Sequence, residues 1–386
     1  MIGLRKPTAI ELFSGAGGMS LGIKKAGFEV ILANEVEKDF AQTFAWNHPQ
    51  TKMLCSRIEE IDFRQARKTL SPDNIDLLSG GPPCQGFSTI GSKKESDPRN
   101  RLFYQYLRAV DEIQPNYVIF ENVAGFCSLY KGVVYQTLLE NLNGLGYKTQ
   151  SGLLEASDFG LPQIRKRTII VGWKKSLPPV QLPEPTYSSD ETWFPLRKKR
   201  TLMDALSDLP ELRFKDTKIF YKKPPENDYQ HQLRHGCHTL TEHNSSDYGK
   251  KMREILSLVP AGGTVNDLPE RLRPRKYFSN TYARLLPDQP CPTITRNFGT
   301  PSSSRCVHPF QNRALSTREG ARLQGFPDSY RFFGSKTSKN LQIGNAVPPI
   351  LGEVIAREIL KSMNQSKGKK PLFHQNSVDS CLPLVP

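Results

Sequence analysis

Along the first half of the chain, short continuous apolar runs alternate with segments whose apolar positions recur at helical spacing. Residues 9–13 (AIELF), 28–34 (FEVILAN), 75–80 (IDLLSG) and 116–122 (NYVIFEN) are apolar enough to predict strands buried on both faces. Residues 19–27, 102–114 and 133–145 have helical spacing, and 167–173 (RTIIVGW) predict a late strand. Strand and helix in alternation predict an α/β fold built on a doubly wound, mostly parallel sheet. After Trp173 the pattern breaks: a proline-rich stretch, SLPPVQLPEPTYSS, leads into a basic, irregular region that runs to about Pro309. This shift predicts a boundary and a second, smaller domain. Residues 348–363 return to helical spacing with proline in the first turn, and from Asn364 the chain reads as a loose, flexible tail.

Charge narrows the function. In 386 residues, 53 Lys and Arg stand against 38 Asp and Glu, a formal charge of +15, which points to a polyanionic partner with nucleic acid foremost. No run approaches the ~18 apolar residues of a membrane span, and residues 1–15 lack the apolar core of a leader peptide. The expectation is a cytoplasmic protein without a membrane partner. Seven cysteines, widely spread and without a C-x-x-C pair, indicate neither a disulfide framework nor a four-cysteine zinc site. His231, His235, Cys237, His238 and His243 crowd into thirteen residues, but their spacing matches no usual zinc pattern, so contacts to phosphate or a nucleic-acid groove are expected there and no metal.

Candidate chemistry falls at the ends of the predicted strands, where open α/β sheets carry their sites. FSGAGG, residues 13–18, lies between the first strand and a helix, with Glu35 twenty residues beyond Gly15 at the end of the second strand. That arrangement suits a nucleotide-type cofactor whose ribose the carboxylate grips. Ser20 stands where G-x-G-x-x-G requires its third glycine, which disfavours a dinucleotide. GGPPCQGFS, residues 80–88, places Cys84 after the third strand, where a thiol is a candidate nucleophile held by two prolines and made accessible by glycines. Glu121 ends the next strand, where desolvation can raise its pKa and let it carry a proton. Gln163, Arg165 and Arg167 recur every second residue, so an extended chain points all three to one side, where they could hold a heterocycle or a phosphate.

In order and spacing, FSGAGG, NE (Asn34 and Glu35), GPPCQGFS, ENV, QIRKR, TREGARLQGFPD and QIGNAVPP resemble the motif series of the DNA cytosine-5 methyltransferases, over about residues 8–363 apart from the middle region. The resemblance implies a Rossmann-like, S-adenosylmethionine-dependent methyltransferase fold. Its domains would be a catalytic and cofactor-binding domain (1–173), a target-recognition domain (174–315) and a hinge and C-terminal segment that completes the catalytic domain (316–363), with 364–386 as tail. It implies Phe13, Gly15, Gly17, Gly18, Asn34, Glu35, Pro82, Asn345 and Val347 at the cofactor, with S-adenosylhomocysteine as product. Cys84 would be the nucleophile at cytosine C6, Glu121 the proton donor at N3, and Arg167 a contact to the base, buttressed by Gln163 and Arg165. Gln85, Ser88, Lys93, Lys94 and Arg99 would contact duplex DNA, with a loop after Cys84 closing over a flipped base. A bacterial monomer, nucleoid-associated through DNA and paired with a restriction endonuclease that it does not touch, completes the expectation. Two features separate it from neighbouring classes. Gln85 differs from the PPCF of the related tRNA methyltransferases, and no Asn/Asp-Pro-Pro-aromatic motif of the amino-methylating enzymes occurs. One position departs from the family: Arg57 stands where an acidic residue usually meets the adenine, with Glu59 and Glu60 just beyond, so a backbone group or a neighbour is expected to make that contact.

Overall fold

The computed structural model of the chain describes residues 5–70, 74–83, 102–189, 196–213, 215–303 and 306–368. Seven strands form one sheet: β1 (Thr8–Leu12), β2 (Glu29–Asn34), β3 (Lys52–Leu54), β4 (Leu77–Gly80), β5 (Tyr117–Val123), β6 (Tyr147–Glu155) and β7 (Lys166–Lys174). Their spatial order is β3-β2-β1-β4-β5-β7-β6, and all are parallel except β7, which runs antiparallel to both of its neighbours. The mostly parallel, doubly wound sheet expected from the alternation is therefore present. β1 is buried along its whole length, as a central strand covered on both faces must be.

Helices cover the sheet as the side-chain alternation of its strands dictates. Ile10, Leu12, Leu78, Val118 and Phe120 point to one face and pack with Tyr106 and Val110 of α4 (Leu102–Ile113) and Leu138 and Leu142 of α5 (Val133–Gly144). Ala9, Leu77, Tyr117, Ile119 and Val171 point to the other and meet Ile23 of α1 (Gly18–Ala26) and Ile355 and Ile359 of α11 (Pro349–Gly368). Between α1 and α4 in the chain lie α2 (Lys38–Asn47) and α3 (Phe63–Leu70). α11 continues five residues beyond the boundary expected at 363, because Asn364, Gln365, Ser366 and Lys367 are compatible with helix and nothing breaks it before Gly368. Residues 369–386 lie outside the described residues.

The middle region carries short helices, α6 (Leu202–Leu206), α7 (Asp228–Arg234) and α8 (Lys250–Leu258), joined by irregular chain. Leu202, Leu206, Tyr229 and Leu233 pack with Ile294, Phe298, Leu323 and Phe326, so this region shares a core with α9 (Thr317–Leu323) and α10 (Lys336–Asn345). A fourth, smaller core of Ile255, Val259, Val265, Leu268, Leu272 and Tyr282 stands apart from the other three.

Candidate active site

Strand register alone assembles the site. Leu12 lies level with Asn34 on β2 and with Gly80 on β4, and Gly80 is level with Phe120 on β5. The following residues, Phe13, Glu35 and Gly81, therefore leave the sheet together at its carboxyl edge, where parallel sheets place ligands, level with Glu121, which stays in β5 and pairs with Ile169 of β7. Because β7 is antiparallel, its first residues rather than its last reach that edge, and Arg167 pairs with Val123 just past Glu121.

Glu121 is buried, and its carboxylate accepts a hydrogen bond from Arg167 Nε at 2.8 Å. Burial raises its pKa above the ordinary carboxylate value, while the Arg167 and Arg165 charges hold the rise back. A side chain at position 81 would sit 2.7 Å from Glu121 Oε2, so glycine is required there to leave the carboxylate its place. Asn122 donates from Nδ2 to the Pro82 carbonyl at 3.0 Å, which ties the start of the GPPC segment to the strand that carries Glu121. Cys84, Gln85, Ser88, Lys93, Lys94 and Arg99 lie outside the described residues.

Gln163, Arg165 and Arg167 alternate with the exposed Ile164 and Lys166, and all three donate hydrogen bonds to other groups of the protein. Gln163 Nε2 donates to the Leu323 carbonyl at 2.9 Å and to Gln324 Oε1 at 2.8 Å, and its Oε1 accepts from the Ile294 amide. Arg165 is fully buried and donates to the carbonyls of Ile294, Gly344 and Ala346 at 2.8–3.1 Å. Both side chains thus join the sheet to later segments, and Arg167 alone of the three stands at the carboxylate.

At the glycine loop, Phe13, Gly15 and Gly17 all have positive φ, of 55°, 56° and 89°. For Phe13 this is a strained conformation that only a fixed surrounding holds in place. Gly18 and Gly22 face α11: a Cβ at position 18 would overlap the Val347 carbonyl, and one at position 22 the Pro349 carbonyl. The late GNAV segment is therefore pressed against the start of α1, with Asn345 exposed and Val347 half-buried beside it. Tyr330 donates to the Ala16 carbonyl and lies 3.0 Å from His48 Nε2, which fixes the loop from the hinge segment. Glu35 accepts from the amides of Gly15, Val36 and Glu37 at 2.9 Å, and burial raises its pKa. Asn34 spends its Nδ2 on the carbonyls of Leu54 and Ser56, holding the next turn rather than facing the crevice. In that turn Ile58 is buried, while Arg57 is exposed and 3.5 Å from Glu59.

These residues fit a nucleoside cofactor with an amino-acid arm. A Cβ on Gly15 would meet nothing within 4 Å, so the backbone there borders open space. α1 begins without a side-chain cap, which leaves the positive end of the helix facing that space. The buried Glu35 stands beside it, its carboxylate held by the Gly15 amide.

Two further features carried no role in the sequence. Glu11, on β1, is buried, is hydrogen-bonded by Ser20, and is pushed up to about 8 by desolvation. In α9 and after it, Arg322 is fully buried and paired with both Asp208 and Asp328, while Arg313 holds Glu319 at 2.6 Å. The signal was present as charges inside the otherwise buried TREGARLQGFPD run.

Comparison with known proteins agrees with this geometry. Residues 8–361 match the model of the C-5 cytosine-specific DNA methylases. The Type II methyltransferase M1.HphI of Haemophilus parahaemolyticus is 34% identical over 92% of this chain and 87% of its own length. M.DdeI of Desulfomicrobium norvegicum is 33% identical over 91% and 88%. A solved prophage-encoded DNA modification methyltransferase from E. coli aligns at TM-score 0.76 and 28% identity, covering 93% of this chain and 99% of that one. DNMT2 of Spodoptera frugiperda, at TM-score 0.60 and 18% identity over 92% and 99%, shares the fold. The fold is that of an S-adenosylmethionine-dependent methyltransferase, and the chain belongs to the C-5 cytosine-specific DNA methylase family. It is a DNA cytosine-5 methyltransferase.

Proposed function

We propose that the protein methylates C5 of a flipped-out cytosine within one short sequence of duplex DNA, as the modification half of a Type II restriction-modification system. The observation that carries the reading is the buried Glu121 and Arg167 pair at the carboxyl edge of the sheet, beside the start of the GPPC segment and across the edge from the glycine loop.

Phe13, Gly15, Gly17, Gly18 and Glu35 would hold S-adenosylmethionine, with Val347 packed against the loop. When bound, that cofactor supplies an electrophilic sulfonium methyl. The protein's task is to make an aromatic carbon attack it. Cytosine C5 is a poor nucleophile, so Cys84 adds as thiolate to C6 while Glu121 delivers a proton to N3. Both changes push electron density onto C5. Glu121 suits the step because its raised pKa keeps a proton available, and because Arg167 fixes the carboxyl and steadies the charge it leaves behind. Once C5 carries the methyl, loss of the C5 proton to water, departure of the cysteine as thiolate and return of the N3 proton to Glu121 restore the ring. A stacked base cannot reach such a site, so the base must leave the helix at a cost of a few kcal/mol.

The test is transfer of labelled methyl from S-adenosylmethionine to mixed-sequence duplex DNA and to tRNA, followed by bisulfite sequencing of the DNA. Methylated cytosines gathered in one short motif support the reading. Label on tRNA alone would replace it with RNA methylation, and label on neither would leave a DNA-binding protein without this activity.

A further inference from the structure

The most exposed large apolar side chain among the described residues is Phe278, at 81%. It stands in a run, Arg275, Lys276, Tyr277, Phe278, Ser279 and Asn280, in which every residue is exposed. An aromatic ring costs solvation free energy when left in water, and two adjacent ones flanked by cations describe a nucleic-acid contact better than a solvated turn. Between residues 249 and 280 there are seven Lys and Arg against three Asp and Glu. Of the three, Glu254 is taken up by Arg271 at 2.8 Å, and Asp267 by a helix-capping bond to the Thr264 amide.

The run is exposed but firmly rooted. Leu272 before it and Tyr282 after it are buried in the small fourth core. Arg273 donates to the carbonyls of Leu268 and Asn266 at 2.8 Å, and the Thr281 amide bonds to the Phe278 carbonyl, closing a turn that lifts Phe278 outward. Arg284, itself buried, gathers the carbonyls of Leu256, Val259, His308 and Gln311 beneath. A side chain presented on such a base meets its partner with little ordering cost.

From this root the chain runs straight to the catalytic strand. Seven residues past Arg284, Cys291 exchanges backbone hydrogen bonds with Pro162 and Ile164, at 2.9 and 2.8 Å, and Thr293 Oγ1 donates to the Ile164 carbonyl. Ile164 immediately precedes Arg165, and Arg167 follows. The exposed turn and the strand that carries Arg167 beside Glu121 are thus joined by one hydrogen-bonded arm.

We infer that the turn at residues 275–280 reads the target site, with Phe278 against an apolar base edge in the major groove, a thymine C5-methyl being the fitting group, and with Arg275 and Lys276 on the flanking phosphates. The inference rests on the DNA reading above and adds the residues that choose the sequence. Phe278→Ala removes an exposed ring, so folding is left intact; Arg275→Ala serves as its companion. The experiment is methylation of a randomised duplex library by the wild-type enzyme and each variant, read by bisulfite sequencing, with melting temperature and S-adenosylmethionine affinity measured alongside. Phe278→Ala is expected to relax selection about ten-fold at one position of the motif, with the other two readouts unchanged. Arg275→Ala is expected to weaken methylation evenly across sequences and to flatten its salt dependence. A Phe278→Ala enzyme that keeps the wild-type motif and kcat/KM would overturn the inference. A wild-type enzyme that methylates no DNA would sink the underlying reading instead.

Discussion

The proposed reaction asks two opposed things of Glu121: to hold a proton for N3, and to sit beside a cation that favours its charged form. Burial wins in direction, and Arg167 limits how far. Replacing Glu121 with Gln keeps size and burial but removes the transferable proton. Methyl transfer should fall by about 10²- to 10⁴-fold, with cofactor affinity within two-fold of wild type; unchanged rates would mean another group protonates N3. Glu11 offers a second test, on stability. Its folded pKa is about 8 against an ordinary 4.5, so between these values the folded protein keeps a proton that the unfolded chain has lost. The contribution is therefore complete below about pH 4.5 and is lost as pH rises toward 8. Between pH 6 and pH 8 the wild-type melting temperature should drop more steeply than that of Glu11→Gln, and parallel curves would show that Glu11 ionises normally.

At the scale of elements, the glycine loop and the last helix form one construction. Gly18 and Gly22 let α1 lie against the backbone at Val347 and Pro349, and Gly352 does the same from α11 toward Met19. A methyl group at position 18 has no room, because its obstacle is a main-chain carbonyl rather than a flexible side chain. Gly18→Ala should cost about 1–3 kcal/mol and weaken S-adenosylmethionine binding more than it weakens DNA binding. Equal effects on both ligands would place the strain elsewhere. Much of this was legible in advance: the four central strands, the helices α1, α4 and α5 and the return of GNAV to the first strand all follow from apolar runs, spacing and motif resemblance. The edges were not. β3 is three residues long, and β6 (YKTQSGLLE) pairs on one side only and keeps most of its residues partly exposed, so neither shows a buried strand's apolar run. Nor could spacing reveal that Gln163 and Arg165 turn to main-chain carbonyls 129 or more residues away, since those partners come from tertiary structure.

Across the whole molecule, buried charge links regions that the sequence separates. Arg322 meets Asp328 in the hinge segment and Asp208 in the middle region, and Asp208 also pairs with Arg234 at 2.9 Å. Removing the central cation takes the main countercharge from two buried carboxylates, leaving Asp208 to Arg234 and Asp328 to Tyr221 and Arg318. Arg322→Met should destabilise the protein by about 3–5 kcal/mol in chemical denaturation; a loss below about 1 kcal/mol would show that the carboxylates find other partners or protons. Around this frame the surplus of positive charge, +15 overall, provides the attraction for DNA that brings the site to its substrate.

The proposed reaction turns on covalent attack by Cys84 on the target base. Duplex DNA synthesised with 5-fluorocytosine tests it directly, because fluorine at C5 cannot leave as a proton does and methylation halts before the cysteine departs. With S-adenosylmethionine present, the expected product is a protein–DNA adduct stable to denaturation, whose peptide map places the link at Cys84, and no adduct is expected from Cys84→Ser. An enzyme that methylates ordinary DNA yet forms no adduct, or one that forms it at another residue, would contradict the mechanism.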